Sequence, residues 1–221
     1  MARAPWFVGA ALGLSLAIVI LLAGPLLLFN PAFTSALQQR HGVTPAFGVP
    51  MAEVDRVTTE LLADIYTDGD FDAAFVDQQP LLDERERSHM HDVARLVRIL
   101  GASVLAAAVL AVLSARRMRG ELRRVGRVML LTAAAIGTLA LALALTFAVA
   151  FEPAFLAFHA IFFPPGTYLF EPGSNLITLF PEGFWFDASL VAGATILLSA
   201  IVCAVAGYRL WGSGQGTPLP A

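Results

Sequence analysis

Two of the chain's four histidines stand where an imidazole could exchange protons during a reaction. In "LLDERERSHMHDVARLVRIL" (81–100), Glu86, His89 and Asp92 recur at i, i+3 and i+6 on one helix face. His91 shares another face with Arg95 and Arg98. Acids on both sides of His89 lead us to expect it to hold a proton more readily, or to be oriented by one of them, and make it the better placed base. The second histidine, His159, lies in "EPAFLAFHAIFFPPGTYLFEPGSNLITLFPEGFWFD" (152–187), a stretch with four acids and no Lys or Arg. An imidazole titrates near 6.5 and is the side chain suited to proton transfer at neutral pH. Each residue also has a plainer reading: a polar side chain at a membrane interface for His159, a solvated helix face for Glu86 and Asp92.

The elements that must position these residues follow from composition. The chain has 221 residues, is 57% hydrophobic and 14% charged, and has a mean hydropathy of +0.73, far more apolar than a soluble domain. Four runs, about 7–29, 96–114, 128–150 and 188–209, are long enough for the roughly 20 residues that cross a hydrocarbon core. The first exceeds a signal h-region and lacks an A-x-A site, so it reads as a retained span. "ARRMRGELRRVGR" (115–127) has six Arg and one Glu, while Arg3 and Arg209 flank the outer spans, which puts this loop and both termini in the cytoplasm. Trp6 and Trp211 then fall in one interfacial belt.

Two segments are therefore expected outside the membrane. Residues 30–94 have twelve acids against four Arg, and 151–187 have four acids and no base. Within the first, "PMAEVDRVTTELLADIYT" (50–67) has apolar Val54, Val57, Leu61, Leu62 and Ile65 at amphipathic spacing, with one face expected to pack on the spans or lipid. "DGDFDAAF" (68–75) lacks the twelve-residue frame of a calcium loop and reads as a solvated turn. A helix is expected to run from 81–100 into the second span without a breaker. In the second segment, Glu152-Pro153 can open a short helix and Pro164-Pro165 must end it, with His159 sharing a face with Phe155, Phe162 and Phe163. Residues 151–187 contain half of the chain's 22 aromatics, so the segment belongs at the lipid interface, and its Gly and Pro argue against a fifth span. The expected fold is one all-α membrane domain over 1–221, a four-transmembrane-helix bundle with two extracytoplasmic segments forming a cap.

Several functions are disfavoured. The positive residues, all 14 Arg, concentrate where acids are scarce, so nucleic acid is not an expected partner. There is no H-E-x-x-H pair and no G-x-x-x-x-G-K-[ST] loop, so neither metal nor nucleotide is implied. The single Cys203, inside an apolar run, excludes an internal disulfide.

The set formed by E-x-x-H-M-x-D-V (Glu86, His89, Met90, Asp92, Val93), a span, a basic loop and another span, then "FHAIFF" (158–163) and "LITLFPEGFW" (176–185), resembles the DUF1461 family of integral membrane proteins, which includes lipoprotein intramolecular transacylases. The resemblance covers nearly the whole chain. It implies an enzyme of the bacterial cytoplasmic membrane, with its site on the extracytoplasmic side, that moves the sn-2 acyl chain of a diacylglyceryl-cysteine to the α-amino group and leaves a lyso-form lipoprotein. It implies His89 and His159 as catalytic groups, no cofactor, and a diacylated lipoprotein N-terminus and membrane lipid as partners. Glu86 and Asp92 are then supporting residues. From the residues themselves, 160–186 are expected to fold over the outer mouth of the bundle as an aromatic lid, with Phe162 and Phe163 giving acyl chains an apolar route and Tyr168 and Asn175 able to hydrogen-bond the glyceryl backbone or the oxyanion. Glu171, Glu182 and Asp187 are expected to face solvent or cap the last helix. The alternatives are a non-enzymatic lipoprotein- or lipid-binding protein, and another His-dependent lipid acyltransferase or hydrolase.

Overall fold

The computed structural model describes residues 3–76 and 79–213, so the ends of the expected 1–221 domain lie outside the described residues. No strand occurs among them. The helices are α1 (Trp6–Leu26), α2 (Pro31–Arg40), α3 (Val43–Phe47), α4 (Met51–Thr67), α5 (Glu84–Arg117), α6 (Leu122–Val149), α7 (Phe151–Phe162), α8 (Asn175–Leu179) and α9 (Glu182–Ser213). Four of them, α1 with the turn that follows it, α5, α6 and α9, are long and apolar enough to cross a membrane. In α5 the apolar stretch is 96–114; the turns before it, which carry His89, are polar.

The chain divides into two compact units. The first comprises Met1–Pro25, Gly101–Leu143 and Gly193–Ala221. Its interior is made of small and aliphatic side chains, with Ile20, Ala133, Ala140, Ile196, Ala200 and Cys203 in one cluster and Leu12, Met118 and Val125 in another. Gly126 and Gly207 let α6 and α9 meet backbone to backbone, because a Cβ on Gly126 would collide with the Gly207 carbonyl oxygen. Such small-residue contacts replace the hydrophobic drive that helices lack in lipid. Arg124 fastens the start of the chain to the α5–α6 turn, its Nη1 donating to Ala4 O (2.7 Å) and to Glu121 Oε2 (2.9 Å).

The second unit comprises Leu26–Leu100 and Ala144–Ala192, and has a core like that of a water-soluble domain. The amphipathic face of α4 (Val54, Val57, Leu61, Leu62, Ile65) packs on Phe71, Phe75, Leu81, Leu82, Met90, Ala94, Val97, Leu176 and Leu179. Its apolar face is therefore satisfied inside this unit, not by lipid as the periodicity alone allowed. Helix α2 starts where Asn30 Oδ1 accepts the Ala32 and Phe33 N–H groups, with Pro31 in its first turn. It ties to the core through Gln38, whose buried Nε2 donates to Thr58 Oγ1 and Leu179 O, each at 3.1 Å. The turn after α4 is held by Asp64 Oδ2, which accepts the Phe71 N–H (3.0 Å). Phe71 has φ 55° and no exposed surface, a left-handed backbone sustained by burial of its ring.

Candidate functional site

Helices α5 and α7 each deliver one imidazole to the same place within the second unit. Helix α5 begins at a reciprocal cap: Asp83 Oδ1 accepts the Glu86 N–H and Glu86 Oε2 accepts the Asp83 N–H, both at 2.8 Å. One turn later comes His89, 6% exposed. Helix α7 is bracketed by the prolines the sequence offered, and at 12 residues is too short to span the roughly 30 Å of a hydrocarbon core. His159 lies in its last turn.

The two rings stack, with centroids 6.0 Å apart and planes 26° from parallel. Aromatic rings enclose them. Phe163 lies beside both, 4.9 Å from His89 and 5.3 Å from His159, while Phe170 contacts His89 at 5.6 Å. Phe155 (4.2 Å), Phe158 (5.5 Å) and Tyr168 (5.3 Å) contact His159.

Protonation follows from this enclosure. Burial, with a lesser contribution from neighbouring His159, pushes the pKa of His89 down to about 4, and the Asp92 charge offsets only part of that. His159 is also lowered by burial, opposed by its bond to Phe155. At neutral pH both imidazoles are uncharged. The tautomer of His159 is set, because Nδ1 lies 2.8 Å from Phe155 O, which can only accept. Nδ1 therefore has the proton, and Nε2 has the lone pair. Nδ1 of His89 is buried without a hydrogen-bond partner among the described residues. A buried polar atom left unpaired by protein groups costs about 1–3 kcal/mol.

The supporting residues are used differently from the expectation. Glu86 makes no hydrogen bond to His89; its second oxygen accepts the Leu176 N–H at 2.8 Å. Asp92 pairs with Arg95 at 3.2 Å. The expectation that flanking acids would help His89 hold a proton is thus corrected, because one carboxylate is committed to backbone N–H groups and burial outweighs the other. Phe163 is buried against both histidines, but Phe162 is 46% exposed and its ring packs on Phe158, not on His159. Asn175 Nδ2 is spent on Leu81 O at 2.6 Å. Tyr168 contributes its ring face. Asp187 neither caps α9 nor faces solvent: its Oδ2 lies 2.8 Å from His41 Nε2 and 3.0 Å from Arg40 Nε. His91 stacks edge-on against Phe71 and lines a polar cleft of about 440 Å³ with Asp70, Asp72, Glu84, Arg87 and Ser88. His41 and His91 are absent from the stacked pair, and no group of three metal-ligating side chains gathers among the described residues.

A family model, that of the lipoprotein intramolecular transacylase Lit, matches residues 10–185. The chain belongs to the Lit family. Its fold is that of a membrane-integral Lit from Bacillus cereus, with a TM-score of 0.85 at 17% identity over 96% of this chain and 97% of that one. Two variants of the same Bacillus cereus protein, with a histidine replaced by arginine or by alanine, match at TM-scores of 0.74 and 0.75 and 17% identity. They cover 95% and 96% of this chain, and 92% and 95% of theirs. No curated protein matches the chain. This member of the Lit family is an all-α, multi-pass membrane protein.

Sequence reasoning passed over Phe170 as a wall of the site and Glu86 as a cap. The second had a readable signal, D-x-x-E over Asp83–Glu86, which is a capping-box pattern. The first had none, since which loop ring reaches His89 depends on tertiary contacts.

Proposed function

We propose that this chain transfers the sn-2 acyl group of a diacylglyceryl-cysteine to the α-amino group of the same cysteine, giving an N-acylated lyso-form lipoprotein. The observation that carries the reading is the pair of stacked, uncharged imidazoles inside an aromatic enclosure. Membership of a family named for intramolecular transacylation supports it.

The chemistry requires one proton to move. The amine nitrogen attacks the ester carbonyl, forming the C–N bond and placing negative charge on the carbonyl oxygen. The nitrogen of this intermediate is positive and acidic, and His159 Nε2, the lone-pair nitrogen, takes its proton. As the intermediate collapses, the C–O bond to the glyceryl carbon's oxygen breaks and the imidazolium returns the proton to that oxygen. Nothing is oxidised, and no water is consumed. His89 supplies an N–H to the carbonyl oxygen as charge develops there. A base of depressed pKa suits this sequence, because its conjugate acid gives the proton up readily to an alkoxide. Donor ester and acceptor amine belong to one molecule, so holding them in register supplies much of the rate.

We place the site on the extracytoplasmic side of a bacterial cell membrane with both termini in the cytoplasm, on the strength of the arginine distribution. Acyl chains reach the imidazoles along Phe163 and Phe158 from the outer leaflet. The deciding experiment is mass spectrometry of lipoprotein N-termini in a host making diacyl lipoproteins, with and without this chain. N-acyl cysteine with a lyso glyceryl group is expected. Released fatty acid would favour hydrolysis, and unchanged diacyl termini beside folded protein would refute the assignment.

A further inference from the structure

The segment between α7 and α8 carries Tyr168 and Phe170 onto the two imidazoles, yet it has no regular structure of its own and contains Gly166 and Gly173 in left-handed backbone. Left untied, such a stretch would open at little cost. Three hydrogen bonds tie this segment and the first turn of α8 that ends it to residues 81–86. Arg85 Nη2 donates to Leu169 O (3.2 Å), Asn175 Nδ2 to Leu81 O (2.6 Å), and the Leu176 N–H to Glu86 Oε1 (2.8 Å). The Glu86 bond is the buried one. Its carboxylate is 1% exposed and has an oxygen on Leu176 N–H and the other on Asp83 N–H, so both acceptors are used. A carboxylate is rarely this buried unless its oxygens are so engaged.

We propose that Glu86 is a positioning residue for the transfer reaction: it fastens the 163–176 segment to α5 one turn before His89, holding Tyr168 and Phe170 against the imidazoles and keeping water off them. Its hydrogen bonds go to Asp83 and Leu176 and to neither imidazole, so it takes no part in the proton's path. The proposal rests on the acyl-transfer reading for its purpose, but its geometry is testable without turnover.

The test uses the full chain, purified in detergent, as wild type and as Glu86→Ala, Glu86→Gln and Asn175→Ala. Hydrogen exchange of peptides covering 164–176 and 51–67 is read with the titration of His89 by NMR of labelled histidine, assigned by its loss in His89→Gln. In Glu86→Ala, losing a buried charged acceptor should raise exchange in 164–176 by roughly tenfold or more while 51–67 stays as in wild type. The His89 midpoint should rise from about 4 toward 6.5 as water enters, and turnover per folded molecule should fall by about tenfold or more. Glu86→Gln, which keeps one acceptor oxygen, should fall between. A purely stabilising role would leave the midpoint in place, so an unmoved midpoint or unchanged exchange in the folded variant overturns the proposal. If Glu86→Ala does not fold, Asn175→Ala is judged by the same two readouts, with smaller shifts in the same direction expected and none refuting. Should these readouts move while wild type makes no N-acyl product, the transfer reading fails and the clasp stands. Should wild type be active with the readouts unmoved, the clasp alone fails.

Discussion

Replacing His89 with phenylalanine should remove most of the acid sensitivity that this residue gives the fold. In the folded chain His89 is held near 4 by burial and by His159, against 6.5 in a hydrated chain. Above pH 6.5 the imidazole is neutral in both folded and unfolded states and contributes no pH dependence. As pH falls below 6.5 the unfolded chain takes up a proton that the folded one refuses, so stability declines until about pH 4, where the folded site also protonates. At about 1.4 kcal/mol per tenfold, the interval between 6.5 and 4 amounts to about 3 kcal/mol. For a chain of this size 1 kcal/mol moves a midpoint temperature by about 2–4 °C, so the wild type should lose roughly 6–12 °C relative to His89→Phe between pH 7 and pH 4. Phenylalanine suits the pocket because Phe163 and Phe170 already contact the ring it replaces. Tryptophan fluorescence melts of both proteins in one detergent at pH 7, 5.5 and 4 give the measurement. Carboxylates that titrate in the same window are common to both and cancel in the difference. A gap between the two proteins that stays constant over this range would refute the claim that burial governs His89.

Substituting His89 or His159 with Gln should each lower N-acyl transfer by about a hundredfold or more, whereas His91→Gln should leave it near wild type; the reverse pattern at 89 and 91 would mean the wrong member of "HMH" has been placed at the site. Phe163→Ser should cost about 3–5 kcal/mol of stability and slow long-chain substrates more than short-chain analogues, while the exposed Phe162→Ser should do little; equal effects, measured by melts and product mass spectra, would deny Phe163 its place against the two rings. Cysteines at Ser35 and Ser174, introduced beside Cys203→Ala, should react with an impermeant thiol reagent in intact cells, and one at Gly120 only after permeabilisation; the opposite result would invert the chain in the membrane.

What could be read in advance was whatever depends on local pattern. Four apolar runs gave the spans, the spacing of Val54, Val57, Leu61, Leu62 and Ile65 gave α4, and the prolines at 153 and 164–165 bounded α7. Helix α2 went unread because "PAFTSALQQR" is too polar to stand out by hydropathy, although Asn30 followed by Pro31 was a start signal. The pairing of His89 with His159 was reachable because each residue neighbours a span end, which limits where the topology can put it. The fate of the carboxylates was not. Glu86 and Asp92 had equal claims to His89 by sequence spacing and Asp187 was expected to face solvent or cap α9; tertiary contacts give Glu86 to the Leu176 N–H and Asp187 to His41, while Asp92 pairs with Arg95 one turn along its own helix.

That division of acids bears on how the site works. Under the acyl-transfer reading, a carboxylate bonded to His89 or His159 would stabilise an imidazolium and make the proton harder to return. The structure instead gives His159 a backbone carbonyl at Nδ1, enough to fix the tautomer without adding a full negative charge. The stacked partner adds a second constraint. Two imidazolium charges about 6 Å apart would repel by on the order of 3 kcal/mol at an effective dielectric near 20, so protonating one ring opposes protonation of the other. The pair therefore takes up one added proton and resists a second. One added proton is the number that an ester-to-amide exchange within a single molecule must carry from nitrogen to oxygen, and two buried imidazoles that are uncharged at rest can hold it briefly.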